Sequence, residues 1–494
     1  MEFGILQFAM AALGVIVGIV FGAIPGLTAT MAVAVFLPLT YAYDLGTALF
    51  LLLGLYVGGI SGGLVPAILI NVPGTPSSIC TGFDGHPMAK RGEGERALKI
   101  GITASLLGGL FSLACLWLLT PPLAKLAIKF SSVEKFLIIL FAMTVIAALS
   151  KGSMTKGIFA GFLGVLFSLV GEFVDNNKVR MVPDILKTQL RGGFELLPVL
   201  IGLFAMAQMF QTAEEGMVNS CTGCSLKGEA AKFSFKDFKG QFVNVIRSSA
   251  LGTLMGILPG VGGSAASLMS YSQTKSWSKH PEKLGTGAVE GLVSSESSNN
   301  GLTGGALIPL LSLGIPGDST TAVLIGAFML HGLQVGPLFI TQNTELWYTL
   351  LFGLLLCNIL MFAVMFYPIK WIAKIINIKS SRLWPVIVMM CIIGAYTSRS
   401  GNMFDVWSLL FFGLLAYVFV KIKLPATPFL IGFILGGDLE KYFVDSLNGN
   451  SGNLLCFFQR PIGLVIWVLI IGSLAYAFYD NKKGKKLEQA GFKD

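Results

Sequence analysis

Two short clusters of hydroxyl residues in this chain are suited to holding a small ion: Thr75, Ser77 and Ser78 around Pro76, and Ser319 and Thr320 after Asp318. Each follows a Pro-Gly pair, Pro73-Gly74 in one case and Pro316-Gly317 in the other. Proline removes a backbone donor and glycine accepts angles that other residues avoid, so the chain leaves helix at the pair and re-enters it at the hydroxyl cluster. A helix start carries unpaired N–H groups and about half a positive charge, so two such starts facing each other make an anion site. At the first, Thr75 would cap, Pro76 would take the first helical position, and Ser77 and Ser78 would add donors. This cluster has no negative charge, so a carboxylate could dock there.

The second cluster differs at one place, because Asp318 stands where Thr75 stands in the first. Asp318 either caps its helix or, with Ser319, Thr320 and backbone carbonyls such as that of Gly314, binds a coupling cation, sodium or a proton, that screens an anionic ligand. The run Ser294 to Asn300 also has two readings. It is a solvated loop, or else Asn299 and Asn300 line a wet cavity for substrate and Glu296 joins Asp318 in holding the cation. Lys275 is the nearest candidate positive charge, in an expected loop, and no Arg or Lys pair is obvious inside an apolar segment.

The elements that must position these residues are apolar and duplicated. The segment from Ser61 to Gly82 aligns without gaps on the one containing Asp318 at an offset of 243 residues, so that Gly62 falls on Gly305 and Pro66 on Pro309. Upstream, Pro25-Gly26 matches Pro259-Gly260 at an offset of 234. With 54% hydrophobic and only 12% charged residues, the chain is too poor in charge for a soluble protein of this length. The expected fold is an all-α polytopic membrane protein, with about 10–12 crossings at about 20 residues each, in two related and inverted repeats that carry paired interrupted or re-entrant helices. The repeats span 1–213 and 248–480, joined by a polar linker at 214–247 and followed by a basic tail at 481–494. Gly14, Gly18 and Gly22, and again Gly54, Gly58 and Gly62, recur at four-residue spacing, which suits close helix approach.

The net charge of +9 reports orientation and not a nucleic-acid partner, because the basic residues fall in short connections between apolar runs. Lys90, Arg91, Arg96 and Lys99, then Lys227 to Lys239, and last Lys482, Lys483, Lys485 and Lys486 are placed on the cytoplasmic side, the C-terminus with them. Asp84 and His86 belong to a loop or short surface helix. Cys221 and Cys224 have the spacing of half a zinc or redox site, but there is no second pair, so a loop is expected and no metal. The three histidines fall in no nucleophile or metal motif, and no nucleotide-binding loop is present, so neither an intramembrane enzyme nor an ATPase is expected.

The run PGTPSSICTGFDGHPMAKRGEG from Pro73 to Gly94, with Gly314-Ile315-Pro316-Gly317-Asp318-Ser319 and Pro259-Gly260-Val261-Gly262-Gly263, resembles the large membrane subunit of tripartite tricarboxylate transporters. The similarity extends from about Gly14 to about Trp467. It implies a permease of the bacterial inner membrane that works with a small membrane subunit and a periplasmic solute-binding protein. It implies uptake of citrate or a related small carboxylate with a sodium or proton gradient and no other cofactor, and it favours the cavity reading of the Ser294 to Asn300 run. A homo-oligomer stays open, and so does a passive channel of the same architecture.

Overall fold

The computed structural model describes residues 4–149, 154–173, 178–215, 233–377, 380–399 and 401–489. Cys221, Cys224, Lys227 and half of the 214–247 linker lie outside these residues, as does the end of the basic tail, and the Lys482 to Lys486 side chains are likewise outside the description. Among the described residues six helices are long and apolar enough to cross a membrane, and six further apolar helices of 10–17 residues accompany them. The described strands are two residues each, Gly171–Glu172 paired with Val179–Arg180. The protein is an all-helical polytopic membrane protein.

In the first half the helices are α1 (Ile5–Ala23), α2 (Ala29–Phe36), α3 (Leu45–Gly62), α4 (Leu64–Ile70), α5 (Ile79–Met88) and α6 (Gly94–Ala127). Next come α7 (Ser132–Leu149) and α8 (Met154–Ser168), followed by a helical span over Leu196–Glu214. The second half has α9 (Phe242–Ile257), α10 (Gly262–Trp277), α11 (Val289–Leu313), α12 (Ser319–Leu330) and α13 (Thr344–Phe366). Its later helices are α14 (Ser380–Thr397), α15 (Met403–Lys421), α16 (Ala426–Gly449) and α17 (Pro461–Gln489).

The glycine spacing has a direct consequence. A Cβ at Gly14, Gly18 or Gly22 of α1 would strike the α3 backbone at Leu51, Leu55 and Gly59 in turn, so the two helices run parallel with their backbones in contact. In the other half, Gly252 and Gly256 of α9 press on Ser298 and Leu302 of α11 in the same way. Gly101 of α6 lies beside Leu292, and Gly304 of α11 beside Ser112, so α6 runs parallel to α11. Gly46 at the start of α3 lies beside Leu346 and Thr349, so α13 runs parallel to α3. The far end of α13 reaches the start of α6, where the Lys99 ammonium sits 5.2 Å from the Phe366 ring centroid. Helices α1, α3 and α13 therefore run one way, and α6, α9 and α11 the other.

The Pro-Gly turns have equivalent backbones. Gly26 and Gly260 both have positive φ, at 90° and 79°. Asn71 and Gly314, which correspond at the 243-residue offset, both end their helices in the left-handed region, at φ 58° and 76°. Glycine takes that conformation freely and Asn is among the side chains that tolerate it, which explains the residue types at both stops.

Two polar anchors tie the halves together at the basic end. Asp84 is buried in α5 and not part of a surface loop or surface helix as expected. Its Oδ1 accepts the N–H groups of Gly285, Gly287 and Ala288 at 2.9, 2.8 and 2.7 Å, and its Oδ2 accepts the Tyr271 hydroxyl at 2.8 Å. Polar residues there read as solvated, but successive amides before α11 form a nest that a carboxylate fills. Replacing Asp84 with Ala should expose these amides, so hydrogen exchange at Gly285, Gly287 and Ala288 is expected to rise at least tenfold, about the equivalent of one lost charge-assisted bond. Nearby, Arg96 donates to Asp237 at 2.8 Å, so the end of the expected linker is packed, and α9 starts at Phe242, inside it. Lys275 lies on α10, not in a loop.

Candidate functional site

At the first break, Thr75 has the extended backbone of an N-cap, but its side chain caps nothing. Its hydroxyl lies 3.0 Å from that of Ser77 and 2.8 Å from that of Ser78, because the chain re-enters through a 3-10 turn, Pro76–Ser78, before α5 begins. Pro76 holds the first position of that turn, where its missing N–H costs nothing. The other half reaches this cluster through the start of α10. The Ser267 hydroxyl donates to the Ser77 carbonyl at 2.7 Å, and Gly263 lies against the Ser77 side chain.

Asn299 completes this corner. A Cβ on Gly263 would stand 2.6 Å from Ser77 Cβ and 3.3 Å from Asn299 Oδ1, so a glycine is what lets the three meet. Asn299 is fully buried, and neither its amide oxygen nor its amide nitrogen has a hydrogen-bond partner. Buried amides are nearly always satisfied, since leaving one unmade costs roughly 1–3 kcal/mol per group. An unbonded donor and acceptor facing hydroxyls at a helix start are the arrangement a carboxylate would complete.

The second break is built differently. Asp318 is an N-cap, its Oδ1 accepting the Thr321 amide at 2.7 Å and the Thr321 hydroxyl at 2.8 Å, and its Oδ2 accepting the Tyr56 hydroxyl at 2.8 Å. Both oxygens are occupied from two helices. Thr320 meets Thr30 of α2, oxygen to oxygen at 2.8 Å, whereas Ser319 faces Thr427 of α16 at 3.1 Å. Gly314 ends α11 with its N–H bonded to the Leu310 carbonyl at 3.0 Å.

The Ser294 to Asn300 run is not a solvated loop. It lies in the middle of α11 and is wholly buried. Its small hydroxyl residues allow α6 and α10 to pack closely, Ser297 donating to the Ala104 carbonyl at 3.3 Å and Ser298 to that of Ala266 at 3.0 Å. Asn300 accepts the Ser61 hydroxyl at 2.7 Å and so is engaged where Asn299 is not. Glu296 accepts from Thr81 at 2.5 Å and from Ser105 at 2.8 Å. It shares no hydrogen-bond partner with Asp318, so the two carboxylates grouped by the sequence lie in separate environments.

Tyr56, Thr81, Ser105, Gly263 and Ser267 are the site residues that sequence reasoning missed. Tyr56 had a signal, since it corresponds to Asn299 at the same 243-residue offset. Thr81 and Ser105 had none, because one hydroxyl in an apolar helix is common and its direction is set only by packing.

An uncharacterised 52.8 kDa protein from the TAR-I ttuC' 3' region of Agrobacterium vitis is 32% identical over 474 residues, covering 96% of this chain and 93% of the relative. A second uncharacterised protein, from the TAR-II ttuC' 3' region of the same organism, is 36% identical over 235 residues, 48% of this chain and 97% of the relative. No solved structure matches. Residues 8–431, which hold both breaks and the Asn299 corner, match the tripartite tricarboxylate transporter TctA family, and the chain belongs to that family.

Proposed function

We propose that this chain is the permease subunit of a binding-protein-dependent secondary transporter that takes up a tricarboxylate or related small carboxylate, citrate first among them, on a sodium or proton gradient. The observation that carries the reading is the unbonded amide of buried Asn299 at the corner formed by Ser77 and Gly263. Its donor meets one carboxylate oxygen, and the Ser77 and Ser78 hydroxyls and the helix start meet others, while the Glu296 carboxyl, bonded to Thr81 and Ser105, borders the same amide. Ser319, Thr320 and Asn300 are less direct candidates, since their side chains meet Thr427, Thr30 and Ser61 and not the Asn299 corner.

The two halves act as inverted repeats of one unit. The opposite directions of α1, α3, α13 and α6, α9, α11 support this, as do the equivalent turns. The breaks move against a peripheral group of α7, α8, α16 and α17, giving alternating access. A small membrane subunit and a periplasmic binding protein complete the system. The chain sits in the inner membrane with its basic connections and C-terminus on the cytoplasmic side.

Uptake of labelled citrate and smaller carboxylates into proteoliposomes holding this chain, its small partner and a binding protein tests the reading. Accumulation against a gradient, driven by sodium or protons, is expected. Equilibration without accumulation would mean a passive channel, and no flux under either ion would reject the carboxylate class. Asp318→Asn separates its two roles, because the Asn amide oxygen also caps helices well and its amide nitrogen can donate to the Tyr56 hydroxyl oxygen. The variant is expected to fold with a loss below about 1 kcal/mol and to lose sodium stimulation of uptake. Unchanged sodium stimulation would leave Asp318 as a cap alone and pass the coupling role to Glu296, where Glu296→Gln would remove the response to a proton gradient.

A further inference from the structure

A cavity of about 630 Å³ lies between the second break and the peripheral helices, apart from the Asn299 corner. Its inner wall is Leu313, Gly314 and Ile315, the residues at which α11 stops, and its outer wall comes from α7 and α16. Ala127 and Phe130 at the end of α6 also border it. Arg96 and Lys99 mark the start of that 34-residue helix, which at about 1.5 Å per residue puts the cavity on the opposite side of a bilayer.

Lys135 of α7 and Lys441 of α16 both line this space. At the same end of the peripheral group the arginines are neutralised, Arg180 pairing with Glu440 and Arg460 with Glu134. Among the described residues neither lysine forms an ion pair, and Lys135 rests 5.5 Å from the Tyr442 ring centroid. Asp438, one turn from Lys441, is the acidic residue in the lining, so two positive charges stand against one negative. Gln334 and Gln342 add neutral amides opposite.

We infer that this cavity is a collecting site for a small polycarboxylate on the outer face, with Lys135 and Lys441 as its cationic contacts and Gly314-Ile315 as its inner wall. The inference rests on the carboxylate-uptake reading above. It supplies the positive charge that the Asn299 corner lacks. A cleft whose lining carries net positive charge raises the local concentration of anions, so the lysines act on capture and leave the later steps alone.

Two measurements test it. In the proteoliposome assay at low ionic strength, K135Q/K441Q is expected to raise the KM for the carboxylate roughly tenfold with little change in maximal rate, and Asp438→Asn to lower it. An unchanged KM in a double variant that still transports would overturn the collecting site and leave the transport reading intact. The second measurement does not depend on transport. A cysteine placed by Gln334→Cys, which keeps both lysines, should show a higher ratio of anionic to cationic reaction rates with membrane-impermeant methanethiosulfonates applied from outside than the same cysteine does in the K135Q/K441Q background. An equal ratio in the two backgrounds would overturn the proposal even if no carboxylate is transported.

Discussion

Asn299→Leu is expected to abolish carboxylate uptake while the purified protein becomes more resistant to heat. The two halves of this result have separate physical sources. Leucine has the branching and heavy-atom count of asparagine with two bulkier methyl groups, so it enters the same corner against Gly263 and Ser77, and the amide atoms it replaces have no hydrogen-bond partner. Relieving an unsatisfied buried group returns roughly 1–3 kcal/mol. Losing bonds to an ionised ligand, each worth about 1.5–3 kcal/mol, should lower the initial uptake rate by at least about a hundredfold. Uptake rate and melting temperature measured on one preparation decide the matter. Normal uptake would remove Asn299 from the substrate site, and a fall of several degrees would mean that it makes a structural bond. Asn300→Leu should behave in the opposite way on stability, since it leaves the Ser61 hydroxyl without its acceptor.

Gly317→Ala is expected to be strongly damaging, and Gly74→Ala its counterpart. A Cβ at Gly317 would overlap the Gly256 carbonyl and stand 2.6 Å from Ala306 Cα. At Gly74 it would overlap the Gly22 carbonyl and stand 2.9 Å from Gly63 Cα. In both cases the obstacle is helix backbone, which cannot turn aside as a side chain can, so each variant should lose about 1–3 kcal/mol or more and much of its folded yield. Gly437→Ala is the control, because nothing lies within 4 Å of a Cβ there and alanine favours the helix by roughly 0.5–1 kcal/mol. Melting temperature and monodisperse yield after detergent extraction provide the readout. A tolerant Gly74 beside an intolerant Gly317 would break the equivalence of the two turns.

Much of this architecture was legible in the residues. Pro73-Gly74 and Pro316-Gly317 announced the interruptions, but not through unusual glycine angles: Asn71 and Gly314 are the left-handed residues that end the helices, and Gly74 and Gly317 are needed for close backbone approach. The glycines at four-residue spacing announced the contact of α1 with α3, because only bare backbone admits that approach. Membrane class followed from the scarcity of charge, and family from the motif around Pro73.

Other features needed the tertiary structure. Ser294 to Asn300 left a solvated loop and a cavity wall both open, because polarity usually means water, yet here the side chains bond to carbonyls of helices far away in sequence. Asp84 was misplaced for the same reason, its partners lying some 200 positions on. Asn299 and Asn300 are adjacent and of one type, but about 100° of helical rotation sends one toward Ser61 and the other toward Gly263. The lysine-lined cavity joins residues from Ala127 to Tyr442. By itself the sequence determined where the helix must break and where backbones can touch, because those are properties of single residues. Which polar group is satisfied and which is left for a ligand was decided by packing, because a hydrogen bond depends on where both partners point.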